Sequence, residues 1–311
     1  MIIASLSENL NIEKRISITP EIAKKYISMG FEIKLIVNYG KHLGFDDKEY
    51  SDIGVKLFSN EKEVVNNADI IVQLNLPEND KTSLLQQNQT LIGVLNPYEN
   101  KNKIDEMVKK SINIFSLELL PRITRAQSMD ILSSQANLAG YKAVIESFAT
   151  FEKAIPMMMT AAGTIIPSKC LVIGAGVAGL QAIATAKRLG CIVSAFDVRP
   201  EVEDQVKSLG ASFVKVEKVK EENKEVSVYA KEMTEEYKIK QQEKIHEAAV
   251  QADIIITTAL IPGKKAPLLI KTNTIKNMKS GSVIIDMSGS NGGNVEGIEF
   301  DKKIKYENIN I

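Results

Sequence analysis

The chain has 311 residues, enough for about two domains of ~150 residues each. With 44% apolar and 25% charged residues it has the composition of a globular protein that can bury real cores. Lys+Arg and Asp+Glu both number 39, so no basic excess points to nucleic acid. No apolar run reaches the ~18 residues that a membrane-spanning helix needs, and Met1-IIASLSENL lacks the basic leader of a signal peptide.

In chain order, Pro20 to Met29 is expected to form a helix stopped by Gly30, followed by a strand over Glu32-IKLIV-Asn38. Ala68-DIIVQL-Asn75, Thr90-LIGVL-Asn96 and Ile114-FSLEL-Leu120 read as further buried strands. Ser134 to Glu152 reads as a long helix connecting to a second unit. The methionine run Met157–Met159 reads as packing at a domain junction, and no metal site is expected. Beyond it, helices and strands go on alternating: a helix over Glu201 to Gly210 and strands at Ser212 to Val216, Ala252-DIIITTA-Leu260 and Gly281-SVIIDM-Ser288. Within the highly charged stretch Lys218 to Lys244, the solvated segment Glu221 to Gln241 reads as a surface helix with a loop, or as a flexible lid. Cys170 and Cys191 fall in predicted buried strands and read as small core residues. The expected fold class is α/β, with two Rossmann-like parallel-sheet domains and the cofactor in the cleft between them. The expected boundary divides residues 1–133 from 134–311.

The most specific segment is Lys169-CLVIGAGVAGLQAIATAKRLGCIVSAFDVRP-Glu201. An apolar strand runs into Gly174-x-Gly176-x-x-Gly179, a helix follows, and a second strand ends on Asp197. These glycines suit a tight turn, close approach of a pyrophosphate, and packing of helix on strand. The helix start aims its amides and positive dipole end at the phosphates. Asp197 lies 23 positions after Gly174, near the ~20 expected of the acid that binds the adenosine ribose. A 2′-phosphate would face that carboxylate, so the pattern favours NAD(H) over NADP(H).

Four segments go beyond a generic nucleotide fold: Pro121-RITRAQSMDILSSQANLAGYKAV-Ile145, Pro156 to Gly190 with its following DVRP, Tyr229-AKEMTEE-Tyr237 and Thr257-TALIPGKKA-Pro267. Together they resemble the NAD(H)-binding component (alpha subunit, domain I) of proton-translocating NAD(P) transhydrogenase, which shares its fold with alanine dehydrogenase. The resemblance runs over nearly the whole chain. It implies hydride transfer from NADH to NADP⁺ held on a partner, coupled to proton movement. It also implies NADP(H)-binding and membrane-spanning partner subunits, a homodimer, and a cytoplasmic location peripheral to the inner (plasma) membrane. Carried over by position, Arg122, Gln127, Asp130 and Ser133 match the nicotinamide-side loop, where Arg122 and Asp130 can pair and Gln127 and Ser133 can bind carboxamide or ribose. Ser133, just before a predicted helix, also suits an ordinary N-cap. Val177, Val198 and Arg199 match positions around the pyrophosphate and adenosine, and Ala259 and Leu260 match pocket-lining positions. Tyr229 matches the tyrosine of a mobile loop, although Ser227 and Val228 stand where the family usually has glycines.

Two other functions compete. An alanine dehydrogenase-like enzyme needs a substrate-binding lysine, a histidine and an acid, but Asn75, Asn96 and Ser290 stand at those positions and only Arg15 fits. His42 and His246 lie in a polar loop and a charged helix and read as solvated. Transfer between two nicotinamides needs no protein acid or base, because the cofactors carry the chemistry. A non-catalytic NAD(H)-binding module is the third reading, and it has no use for the Arg122-to-Ser133 loop. In the family a further segment returns to the first domain, whereas this sequence stops at Ile311, so a truncated chain or a continuation on another polypeptide is expected.

Overall fold

A computed structural model of the chain describes residues 1–216, 235–261 and 264–311. These form two compact units, Met1–Ile131 and Leu132–Ile311. The first unit holds strands β1 (Ile2–Ala4), β2 (Glu32–Ile36), β3 (Lys56–Phe58), β4 (Ile70–Asn75), β5 (Thr90–Val94) and β6 (Asn113–Ser116). All pair in parallel, in the order β3-β2-β1-β4-β5-β6. That is the doubly wound order, with the switch point between β1 and β4. Helices α1 (Pro20–Ser28), α2 (Asp47–Ser51), α3 (Glu61–Val65), α4 (Asn79–Thr82) and α5 (Lys101–Lys109) connect the strands. Pro20 at the first turn and the Thr19 hydroxyl, which accepts from Ile22 N–H, start α1. Ile3, Ile33 and Leu35 pack with Ala23 and Tyr50 on one face, and Ala4, Ile71 and Leu91 pack with Val64 and Met107 on the other.

All but the first residue of α6 (Ile131–Thr150) belongs to the second unit; the helix starts three residues before the expected Ser134 and puts Ser133 inside it rather than at its cap. A hairpin follows, β7 (Met158–Thr160) and β8 (Gly163–Ile165). The main sheet contains β9 (Lys169–Ile173), β10 (Ile192–Phe196), β11 (Ser212–Phe213), β12 (Ile254–Thr257), β13 (Val283–Asp286), β14 (Lys305–Tyr306) and β15 (Ile309–Asn310). Its order is β11-β10-β9-β12-β13-β15-β14, parallel except for the β14–β15 pair. Helices α7 (Val177–Arg188), α8 (Glu203–Ser208), α9 (Glu235–Gln251) and α10 (Thr272–Lys276) complete the unit. Alternate residues of the central strands feed opposite cores. Cys170 and Val172 meet Val144 of α6 and Ile183 of α7, while Leu171 and Ile173 meet Ile245 of α9 and Ile275 of α10. A strand buried on both faces explains the unbroken apolar run that marks it in the sequence.

The methionine run is not packed. Met157, Met158 and Met159 are 59%, 44% and 73% exposed on the hairpin, and Ile165 and Ile166 beside them are 50% and 79% exposed. Both cysteines are buried free thiols, as core residues should be, and burial pushes the Cys191 thiol up to about 12.

Candidate functional site

The chain leaves β9 at Gly174, which takes φ +99°, a conformation only glycine adopts without strain. A Cβ there would stand 2.5 Å from Thr258 Oγ1. The Thr258 hydroxyl donates to Gly174 O at 3.0 Å and ties the turn to the end of β12. At Gly179 a Cβ would fall 1.8 Å from Gly174 O, so this glycine lets α7 sit directly on the turn. Gly176 differs: a Cβ there would meet nothing within 4 Å. It caps α7 in an extended conformation with no side chain bonded to the first-turn amides. Open space in front of uncapped amides at a helix start fits a phosphate-bearing ligand. Gly140 of α6 contributes from the other side, since a Cβ on it would lie 2.1 Å from Ala178 O in the first turn of α7.

Asp197 follows β10 directly, with its side chain 6% exposed. Its Oδ2 accepts from Ala175 N–H at 2.7 Å and from Arg199 Nη2 at 2.9 Å. Its Oδ1 accepts from Arg199 N–H and Nε at 2.9 and 3.0 Å. The hydrogen bonds to Asp197 raise the Arg199 guanidinium above its ordinary value. A carboxylate offers about four acceptor positions, and all are filled here. A ribose diol would therefore take positions now held by the Arg199 fork, an arrangement the spacing of the motif does not reveal. Val198 and Ala259 pack on the α9-side core, whereas Val177 and Leu260 are 40% and 45% exposed. Ala259 N lies 3.2 Å from the Cβ position of Gly174, so the glycine turn and the end of β12 share one rim.

Of the expected site residues, the structure brings together Gly174, Gly176, Val177, Gly179, Asp197, Val198, Arg199, Ala259 and Leu260 in the second unit. Arg122, Gln127 and Asp130 belong to the first unit, and Ser133 to the second. Thr124–Met129 is a 3₁₀ helix anchored by buried Ala126, with Gln127 and Arg122 exposed and Asp130 N–H donating to Gln127 O at 3.2 Å. Tyr229 and the proposed lid up to residue 234 lie outside the described residues. Thr258 and Gly140 were not foreseen. A hydroxyl at a strand end and a glycine inside a helix carry no signal without knowing what they face.

The positions where an amino-acid dehydrogenase would bear its catalysts are occupied otherwise. Glu13 accepts from Arg15 Nε and Nη2 at 2.8 and 2.6 Å and from Asn75 Nδ2 at 3.2 Å. Burial pushes the Glu13 carboxyl up, but the Arg15 bonds outweigh it and leave it below the usual range. His42 Nε2 pairs with Lys14 O and His246 Nδ1 with Thr274 Oγ1, and neither is part of the glycine-turn rim.

Two doubly wound parallel sheets in tandem, the second ending its central strand in a glycine turn against a buried acid, define a two-domain Rossmann-like nucleotide-binding protein. Comparison with known proteins carries this further. Residues 5–139 match the alanine dehydrogenase/PNT N-terminal domain and residues 143–309 match the corresponding C-terminal domain, and the chain belongs to that family. It is 47% identical to the first part of the NAD(P) transhydrogenase alpha subunit of Rickettsia prowazekii, covering 100% of this chain and 82% of that protein. The protein of the same name from Rhodospirillum rubrum is 44% identical, covering 91% of this chain and 75% of that protein. A transhydrogenase structure from Sinorhizobium meliloti superposes with a TM-score of 0.88 at 39% identity, over 100% of this chain and 85% of that one. An L-alanine dehydrogenase structure shares the fold, with a TM-score of 0.81 at 20% identity, over 100% of this chain and 81% of that one.

Proposed function

We propose that this chain is the NAD(H)-binding component of an NAD(P) transhydrogenase, active only with an NADP(H)-binding partner. The observation that carries the reading is the open face of Gly176 before the uncapped start of α7, with Asp197 at the end of the neighbouring strand. When bound, the dinucleotide supplies the chemistry, a hydride passing from NADH to NADP⁺ on the partner and coupled to proton translocation. The chain's own part is binding, orientation and exclusion of water. The α7 amides hold the pyrophosphate, and Asp197 takes the adenosine ribose and disfavours a 2′-phosphate. Ala259 and Leu260 line the pocket, and Tyr229 closes over the nucleotide. Arg122, Gln127, Asp130 and Ser133 set the nicotinamide face.

Asn75, Asn96 and Ser290 in place of lysine, histidine and acid, and an Arg15 already engaged by Glu13, argue against amino-acid oxidation. A homodimer is supported by the exposed Met157–Met159 and Ile165–Ile166 hairpin, since a two-stranded ribbon is marginal alone and exposed apolar patches mark interfaces. Among the described residues no helix is long and apolar enough to cross a membrane. In this reading the membrane-spanning subunits of the assembly hold the component at the cytoplasmic side.

The test mixes the chain with an NADP(H)-binding partner domain and follows hydride exchange between NADH and an NADP⁺ analogue. Exchange is expected. Alanine turnover with NAD⁺ would overturn the reading, and NADH binding without exchange inside a demonstrated complex would leave a non-catalytic module. Gln127→Asn should slow exchange far more than it weakens NADH binding. Equal losses would show that Gln127 only holds the cofactor.

A further inference from the structure

One fully buried side chain grips the backbone at Ala259 from two directions. Asn294 is 0% exposed. Its carboxamide oxygen accepts from Ala259 N–H at 3.1 Å, and its NH₂ donates to Ala259 O at 2.9 Å and to Pro267 O at 2.8 Å. One group thus closes both ends of the loop that begins at the proposed pocket-lining pair Ala259–Leu260. Its own backbone is equally constrained. Asn294 N–H donates to Asp286 Oδ2 at 2.7 Å, and Asn294 O accepts from Leu269 and Ile270 N–H. Asp286, at the end of β13, also accepts from Ser288 N–H, Ser288 Oγ and Val295 N–H. Gly292 and Gly293, at φ +93° and +80°, turn the chain so that Asn294 points under the loop, and a Cβ on Gly293 would fall 2.2 Å from Ile298 Cδ1.

The residue type follows from the partners. Two carbonyls need donors and one amide needs an acceptor, and a carboxamide supplies both in one plane. At a fully buried side chain each unmet partner costs the full desolvation of that group. We infer that Asn294, held by Asp286, is a positioning residue for nucleotide binding: it fixes the Ala259–Leu260 backbone against the glycine turn without touching the ligand itself. The inference rests on the nucleotide-binding reading above.

The test uses the 311-residue chain, with NADH as the probe, and the variant Asn294→Asp. Asp286 accepts from the Asn294 N–H, and the ionisable residues of the segments 264–271 and 292–296 that surround position 294 are Lys264, Lys265, Lys271 and Glu296. Ionised, the substituted carboxyl faces two carbonyls with no donor; protonated, it again donates to one of them and still accepts from Ala259 N–H. NADH affinity of N294D should therefore fall about tenfold or more at about pH 8 and recover most of that loss at about pH 6. Because a buried carboxyl also lowers fold stability where it ionises, the titration is run below the melting transition of N294D at both pH values, so that loss of fold is read separately. Wild type should change less than about twofold over the same range.

Wild-type affinity at about pH 8 would overturn the inference, as would a loss that is equal at both pH values and accompanied by a lowered Tm. If N294D gives no folded protein, N294S keeps one donor and one acceptor; weakened NADH binding at unchanged Tm supports the positioning role, and unchanged binding overturns it. A wild-type chain that binds no NADH would overturn the nucleotide reading and this inference with it, whereas binding in wild type and variant alike overturns the inference alone.

Discussion

The first five strands of each sheet follow one order, and the two units use it in opposite ways. Each has its switch point beside the first strand of the sheet, where doubly wound folds bind ligands. In the second unit only residues 174–176 separate β9 from α7, and the space before Gly176 is open. In the first unit residues 5–19 separate β1 from α1, and the chain fills that place with its own polar groups. Ser5 Oγ meets Tyr39 Oη at 2.7 Å and Ser17 Oγ at 2.8 Å and donates to Gln73 Oε1 at 2.9 Å, while Leu6 N–H donates to the same Gln73 oxygen. Ser5, Tyr39 and Gln73 are all buried, and burial raises the Tyr39 hydroxyl above its ordinary value. Capacity for a ligand therefore lies in the loop after the first strand rather than in the strand order, and a fold alone does not assign function.

Substitutions can break this contrast from either side. The largest effect is expected at Gly179→Ala, whose Cβ would collide with Gly174 O. Overpacking against backbone should cost about 3 kcal/mol or more, read as a lowered Tm and loss of the second unit's cooperative melting. Asp197→Ala should weaken NADH binding roughly 10- to 100-fold, the loss of charged hydrogen bonds. Arg199→Ala should weaken it far less, because the guanidinium occupies acceptor positions the ribose needs; calorimetric titration of the two variants separates them. In the first unit Tyr39→Phe orphans Ser17 N–H and should lower stability by about 1 kcal/mol while leaving NADH affinity unchanged, as thermal melts and titration would show. The smallest effect is expected at Glu13→Gln. The Glu13 carboxyl is held below its usual range in the folded chain, so it adds stability above its unfolded value and loses it as pH falls. Wild-type Tm should then drop more steeply on acidification than that of E13Q.

The glycine turn was legible because each of its residues answers a local demand: a left-handed turn, a bare approach and a tight contact at fixed spacing. Much of the fold was legible for the same reason, since buried parallel strands are apolar without interruption. β1, the strand that carries the first unit's switch point, was not seen, because three residues, Ile2–Ala4, are too few to show any period. β3 escaped for the same reason. The Ser5–Ser17–Tyr39–Gln73 network was invisible because its members are far apart in the chain and each alone is an ordinary polar residue. The same holds for Thr258 and Asn294, whose roles exist only through the backbone atoms they reach. Asp197 was found, but its capture by Arg199 was not, since spacing names a residue and says nothing of what already holds it.

Gly176→Ala tests the central claim most directly, measured as NADH titration beside a thermal melt. A Cβ at 176 meets no protein atom within 4 Å, so the stability read from the melt should change by no more than the ~0.5 kcal/mol of a neutral substitution. The same methyl stands where the pyrophosphate approaches, so NADH affinity should fall roughly 10- to 100-fold. Unchanged NADH affinity in G176A at unchanged Tm would contradict the account, because the open face of the glycine turn would then not be where the nucleotide lies.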